Sequence, residues 1–429
     1  MKLAIVVQRY GSEVNGGAEY HARLLAERLS TKHSVTVLST CALDYVSWKN
    51  HYPAGDSKLE NVEVKRFKVI IRRFKYLFDR LYDIVAFVVK VESAIKDRRS
   101  RGPMSWQLRL KVGIAAGLLK IYDLCFRNLI ESLWMLASGP LTPSMSKYIR
   151  AHRDSYDCFI FFSFMYPTTF ENLKLVREKA ILIPTAHREP GIYQHRLRAI
   201  SQRISAILFN TPEEKSYFFE CFPESSRLPH DVVGIGLADI KTHSDTLADS
   251  LQTSAHQPYI LYIGRIEIFK GCETLFDFFR RYKDAHGGTL KLLLIGTATM
   301  PLPNRSDIIH LGFVSDQEKI ALLESCELLV MPSAYESLSM VVLEAWSQKK
   351  PVLVNGLCEV LVGQVQRSGG GQIFSDYNSF ATALSSLTTD REKRASMGEL
   401  GYRYYQAFYQ WESILSRVEA MILRVSKKR

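Results

Sequence analysis

Short apolar runs punctuate the chain at residues 3–7, 35–38, 158–162, 180–184, 204–210, 259–263, 290–295, 328–331 and 351–354. Each gives way to a polar loop, and longer stretches with apolar residues at helical spacing lie between them. Runs this short, with little polar alternation, fit strands buried on both faces, and strands alternating with helices predict parallel βαβ units. The pattern therefore predicts an α/β protein. Two segments break it. Residues 70–138 are helical in pattern and rich in aromatics, and residues 238–258 are polar with little periodicity.

The densest pattern lies at residues 328–354. A strand over 328–331 stops at Pro332-Ser333, a helix over 338–348 is closed by Lys349-Lys350-Pro351, and a new strand begins at Pro351. Glu336 stands at the helix entrance and Glu344 eight residues later. Eight helical residues rise about 12 Å and turn through roughly 80°, so the two carboxylates cannot share one proton. They can hold the two ends of an extended ligand whose anionic middle lies over the helix N-terminus, which suits a nucleotide sugar. An ordinary amphipathic helix, with Glu336 as its cap and Glu344 on a solvated face, fits the same letters.

Other strand ends carry candidate chemistry. The strand over 259–263 leads to Gly264-Arg265 and then Lys270-Gly271 before an amphipathic helix. Arg for bidentate contact and Lys as a point charge suit a diphosphate, although two surface cations are common in so basic a chain. Gly16-Gly17 feed a helix over 18–30, where glycine permits close approach of a ligand; this is not GxGxxG, and a plain tight turn fits as well. His187 follows the strand at 180–184, where ligands of α/β sheets bind, but it can equally be a satisfied loop histidine. Residues 308–313 form a strand ending at Val314-Ser315, and Gly369-Gly370-Gly371 mark either a ligand-side turn or a plain loop.

Composition sharpens the picture in three places. A length of 429 residues suits two or three domains. The net charge of +12 implies an anionic partner. Between Arg72 and Lys111 there are eleven Lys/Arg against four Asp/Glu, so the helical segment docks on anionic lipid or presents a solvated basic face. No nucleic-acid reading module accompanies the charge, and nucleic acid is not an expected partner. Seven scattered cysteines without CxxC argue against a zinc site or disulfide framework. The first apolar run meets Arg9 early and reads as a strand rather than a signal peptide, and no apolar run reaches the ~20 residues of a membrane span. Arg101-Gly102-Pro103 reads as a turn inside the helical segment.

Glu336-Ser337-Leu338-Ser339-Met340, then Glu344-Ala345, then Pro351-Val352 resembles the E-x7-E signature of group 1 glycosyltransferases, the retaining enzymes of family 4. Gly264-Arg265 with Lys270-Gly271 resembles that family's diphosphate motif. Gly16-Gly17-Ala18-Glu19 resembles its opening loop, and residues 308–313 with Val314 resemble the edge that receives the base. The resemblance implies the GT-B fold: two Rossmann-like, doubly wound domains facing across a cleft, here with a helical insertion in the first. The expected division is an acceptor-side domain over 1–240 with its basic insertion at about 70–138, and a linker over 241–257. A nucleotide-sugar domain over 258–405 follows, then a helix over 406–429 returning to the first domain.

By the same resemblance Glu336 contacts the donor sugar and, with His187, forms the catalytic pair. Arg265, Lys270, Glu344, Gly16, Gly17, Ser339, Leu338 and Val314 bind the donor, with Glu344 on the ribose. Ser339 stands where the family usually has glycine. The implied reaction transfers sugar from a UDP-, GDP- or ADP-sugar to a glycan or lipid-linked acceptor with retention, in cell-surface polysaccharide synthesis. No cofactor and no metal are expected, Arg and Lys replacing a divalent ion. The implied location is cytoplasmic, peripheral on the inner face of a membrane. A GT-B nucleotide-sugar epimerase, a glycogen-phosphorylase relative, or a non-catalytic membrane- or polyanion-binding protein on a degenerate fold are the other readings. An NAD-dependent dehydrogenase ranks last, because the dinucleotide fingerprint is absent.

Overall fold

The computed structural model describes residues 1–14, 16–100, 105–237 and 257–427. Two compact units form: Met1–Val233 with Leu415–Arg429, and Gly234–Ile414. The first holds strands β1 Lys2–Val6, β2 Ser34–Thr40, β3 Gly55–Leu59, β4 Val62–Phe67, β5 Cys158–Phe162, β6 Ala180–Ile183, β7 Ala206–Phe209 and β8 His230–Val232, in the order β3-β4-β2-β1-β5-β6-β7-β8. Every pairing is parallel except β3 with β4. The chain winds outward from β1 in both directions, so strand order reverses between β1 and β5. β5, β6 and β7 are buried at every residue, as their uninterrupted apolar letters require.

The second unit holds β9 Tyr259–Ile263, β10 Lys291–Ile295, β11 Ile308–Gly312, β12 Leu328–Met331, β13 Val352–Asn355 and β14 Gly371–Phe374, in the order β11-β10-β9-β12-β13-β14. All five pairings are parallel. Here the order reverses between β9 and β12. Ligands of such sheets bind beyond the carboxyl ends of the strands at this reversal. The loops in question are the two that carry the Arg265/Lys270 and Glu336 motifs.

Helices cover the sheets. In the first unit α1 Gly17–Leu29 follows β1, and four α-helices of the described residues intervene between β4 and β5: α2 Lys75–Ser100, α3 Trp106–Cys125 and α4 Arg127–Ser138 of the insertion, then Pro143–His152. The Arg101-Gly102-Pro103 turn and residues 241–256 of the expected linker lie outside the described residues. Trp134, Met135 and Ala137 of α4 join the core with Leu81 of α2. Buried Glu131 accepts the backbone N–H of His195 and Arg196, each at 2.9 Å. The last helix, Trp411–Ser426, is tied to the first unit by Arg417 Nε donating to Asp231 at 2.8 Å and by His33 against Glu419 at 3.4 Å. Among the described residues no helix is long and apolar enough to cross a membrane.

Three details differ from the sequence expectations. β3 is an exposed edge strand whose letters, GDSKL, carry no apolar alternation; antiparallel pairing with β4 makes it. The final strand of the first unit, β8 at His230–Val232, lies outside the short apolar runs of the sequence. The helix after Glu336 starts at Met340 rather than 338. Glu336 therefore lies in the loop and is no helix cap, and the distance argument built on eight helical residues does not apply to the pair.

Candidate functional site

At the reversal point of the second sheet, two loops are locked together. After β9 the chain runs Gly264 to Gly271, where the helix Cys272–His286 begins. Gly271 has φ +74°, and a Cβ there would stand 2.3 Å from the carbonyl oxygen of Pro332. Only glycine lets the first loop press onto the backbone that leaves β12. Asn355, at the end of β13, fixes the other side of the same carbonyl, its Nδ2 donating to Pro332 O at 2.8 Å.

This clamp brings Lys270 to Glu336. The Lys270 Nζ lies 2.7 Å from Glu336 Oε1, across sixty-six residues of sequence, with the side chains 27% and 13% exposed. Arg265 extends from the same loop, more exposed, and bonds to Glu267 at 3.1 Å. The sequence-predicted Arg265, Lys270 and Glu336 are thus brought to one sheet end.

The second carboxylate is deeper. Glu344 lies on the helix Met340–Ser347, is 5% exposed, and meets Lys319 Nζ at 2.8 Å. Burial raises the Glu344 carboxyl above the usual range, against the pull of Lys319. Burial works to lower the Lys319 ammonium, but Glu344 and Asp316 outweigh it and hold the lysine charged. The solvated-face alternative for Glu344 is therefore excluded. Its Oε2 is buried with no hydrogen-bond partner among the described residues. Ser339, the residue before this helix, is 3% exposed, and its hydroxyl neither caps the helix nor finds another partner among the described residues. Two buried polar atoms, one just before this helix and one on it, are what a hydroxyl- or phosphate-bearing ligand would satisfy.

Lys319 was not legible as a site residue. Its helix, Asp316–Ser325, opens on a Ser315/Glu318 capping box, but a lysine in a first turn carries no signal that it reaches a carboxylate on the next helix. Val314 is half-buried immediately before that cap, and Leu338 is half-buried beside Ser339. The glycine triplet resolves as structure: Gly369 ends the helix Glu359–Ser368 with φ +65°, a Cβ at Gly370 would stand 2.6 Å from Trp346 Nε1, and Gly371 opens β14.

In the first unit the loop after β1 is built around buried Arg9, which bonds Glu19 at 2.8 Å and the carbonyl of Leu43 at 3.1 Å. Gly16 lies beneath that pair, since a Cβ there would meet the Glu19 carboxylate at 2.0 Å; Gly17 has open space around it. His21 is buried edge-on to Phe162 at 5.1 Å, and burial lowers its pKa to about 3, so it stays neutral. His187 lies in the loop after β6, its side chain about a third exposed and 3.3 Å from Glu189. That loop is pinned by a Ser163–Thr185 hydroxyl contact of 2.7 Å and by Ala186 N–H donating to buried Glu214 at 2.7 Å. Among the described residues no group of three or more His, Cys, Asp or Glu is gathered as a metal-ligand set.

Residues 244–404 match the family profile described as "Glycosyl transferases group 1". An uncharacterised glycosyltransferase of Methanocaldococcus jannaschii is 30% identical over 128 residues, 27% of this chain and 32% of that protein. The chain spans between 29% and 59% of the length of the curated relatives it matches. Among solved structures, a sucrose-phosphate synthase from Thermosynechococcus elongatus superposes with a TM-score of 0.65 at 16% identity, over 100% of both chains. Anabaena HepE in complex with UDP-glucose superposes with a TM-score of 0.61 at 14% identity, over 99% of this chain and 100% of that one. Over residues 244–404 the chain is similar to the group 1 glycosyltransferases, and its two mainly parallel, Rossmann-like sheets are those of the GT-B fold.

Proposed function

We propose that the chain is a retaining, metal-independent glycosyltransferase that moves a sugar from a nucleoside-diphosphate sugar to a glycan or lipid-linked acceptor. The observation that carries this reading is the Lys270–Glu336 contact at the reversal point of the second sheet. A cation able to meet a leaving diphosphate sits against a carboxylate able to accept from sugar hydroxyls. In this reading Arg265 and Lys270 neutralise the diphosphate as the bond to the sugar breaks, and the backbone N–H of Ser339 and its neighbours at the helix start add hydrogen bonds. Glu336 orients the sugar. The orphaned Oε2 of Glu344 accepts from a ribose hydroxyl, with Lys319 holding the carboxylate in place, and Val314 and Leu338 border the nucleotide. For Gly16 and Gly17 the donor-binding role, and for His187 the catalytic one, rest on the family resemblance alone.

The reading assigns the protein to the cytoplasm, peripheral on the inner face of a membrane, in cell-surface polysaccharide synthesis. The basic helical insertion supports it. Calorimetry with UDP, GDP, ADP and NAD tests the donor site. One nucleoside diphosphate should bind, UDP being the first choice because HepE was captured with a UDP-sugar, and Lys270→Ala should weaken it. Absence of binding by all four would sink the reading.

A further inference from the structure

α3 is unusual among the helices of the first unit because none of its residues is buried. Its half-buried residues, Leu108, Val112, Ala115, Ala116, Leu119 and Tyr122, share the face turned to the rest of the insertion. At 100° per residue the opposite face collects Trp106, Leu110, Ile114, Leu118, Ile121 and Leu124, each between 56% and 87% exposed. These six occupy an arc of about 120°. Arg109 and Lys120 border it on one side and Lys111 on the other. Leu129, Leu133 and Leu136 give α4 an exposed apolar row of its own, and α2 exposes Leu77, Ile84 and Phe87. An apolar face of this extent is far more than an isolated soluble helix leaves in water.

We propose that the apolar face of α3 inserts into the acyl boundary of an anionic bilayer. The occupant is chosen by charge. Basic residues on both borders of the stripe, and the excess of Lys/Arg between Arg72 and Lys111, fit anionic headgroups around a buried apolar strip. A second copy of this chain would carry the same positive rim and repel. The inference deepens the peripheral-membrane part of the reading above and rests on it for its biological use.

Trp106 supplies the readout. Trp48, Trp134, Trp346 and Trp411 are buried, whereas Trp106 is 73% exposed at the head of the stripe. The full chain is floated with vesicles of phosphatidylcholine alone and of equimolar phosphatidylcholine and phosphatidylglycerol, and Trp106 is probed with bromine-labelled acyl chains. Flotation with the anionic vesicles, with quenching by the bromine, is expected. Ile114→Ser and Leu118→Ser, both on solvent-facing positions, should each weaken partitioning about tenfold. Nucleoside diphosphate binding by the same variants should be unchanged, and it reports separately on the donor-site reading. Flotation that survives both substitutions but vanishes in high salt would overturn insertion in favour of surface adsorption. A dimer in sedimentation that Leu118→Ser dissolves, without flotation, would overturn it in favour of a second copy.

Discussion

Replacing Lys270 with Ala and Glu336 with Gln should move nucleotide binding in opposite directions. In the ligand-free protein the two side chains neutralise each other at 2.7 Å, and both are less than a third exposed. A diphosphate must draw Lys270 away from that partner. A charge pair near a protein surface attracts by about 4 kcal/mol at 4 Å before desolvation and side-chain ordering are subtracted, and partly exposed pairs retain about 1 kcal/mol. Glu336→Gln removes this competition and a negative charge beside the phosphates, so UDP should bind about fivefold more tightly. The same variant loses the charged acceptor for the sugar and should slow transfer by about a hundredfold. Lys270→Ala removes a charged hydrogen bond of about 1.5–3 kcal/mol, which is roughly 10- to 150-fold in affinity. Calorimetry on the two variants reads both numbers. Equal weakening by both would refute the idea that Lys270 is shared between Glu336 and the diphosphate.

Other perturbations separate structure from function. Glu344→Ala leaves Lys319 with Asp316 as its remaining carboxylate and should cost about 2 kcal/mol in denaturant unfolding, the size of one hydrogen bond to a charged group. Glu344→Leu with Lys319→Met should recover most of that stability but not nucleotide binding. His187→Ala should lower turnover while leaving UDP affinity unchanged, as a calorimetric and kinetic comparison would show. At Asp231 burial pushes the carboxyl up, but the Arg417 guanidinium outweighs it and holds the pKa below the usual value. The pair's contribution is therefore present above the unfolded pKa of about 3.9 and is lost as pH falls through the lower folded value. Asp231→Asn should flatten that acid limb of the stability curve, measured by thermal melts from neutral pH downward.

β5, β6, β7, β9 and β12 were legible because each is buried at every residue and written in uninterrupted apolar letters, as in CFIFF for β5 and LLVM for β12. β3 was not, since GDSKL is exposed and owes its form to β4. Arg265, Lys270 and Glu336 were legible as strand-end charges, but the contact between Lys270 and Glu336 depends on Gly271 lying against Pro332, a tertiary fact that no local pattern encodes. The helix start at Met340 was misjudged because Leu338 and Ser339 fit a helix locally, whereas the chain there stays extended at Ser339. Lys319 escaped for the same reason as the Lys270 contact: its partner lies on another helix. The basic, aromatic character of residues 70–138 was plain, but which face of α3 is left uncovered follows only from how the three helices pack.

The most direct measurement follows the anomeric carbon. The protein is incubated with α-linked UDP-, GDP- and ADP-glucose, and proton spectra are recorded early, before released sugar mutarotates. Turnover of one nucleotide sugar is expected, with the α configuration kept in the transferred or released sugar, in the presence of a chelator as well as without it. A β product, or turnover abolished by chelation, would contradict a retaining, metal-independent transferase.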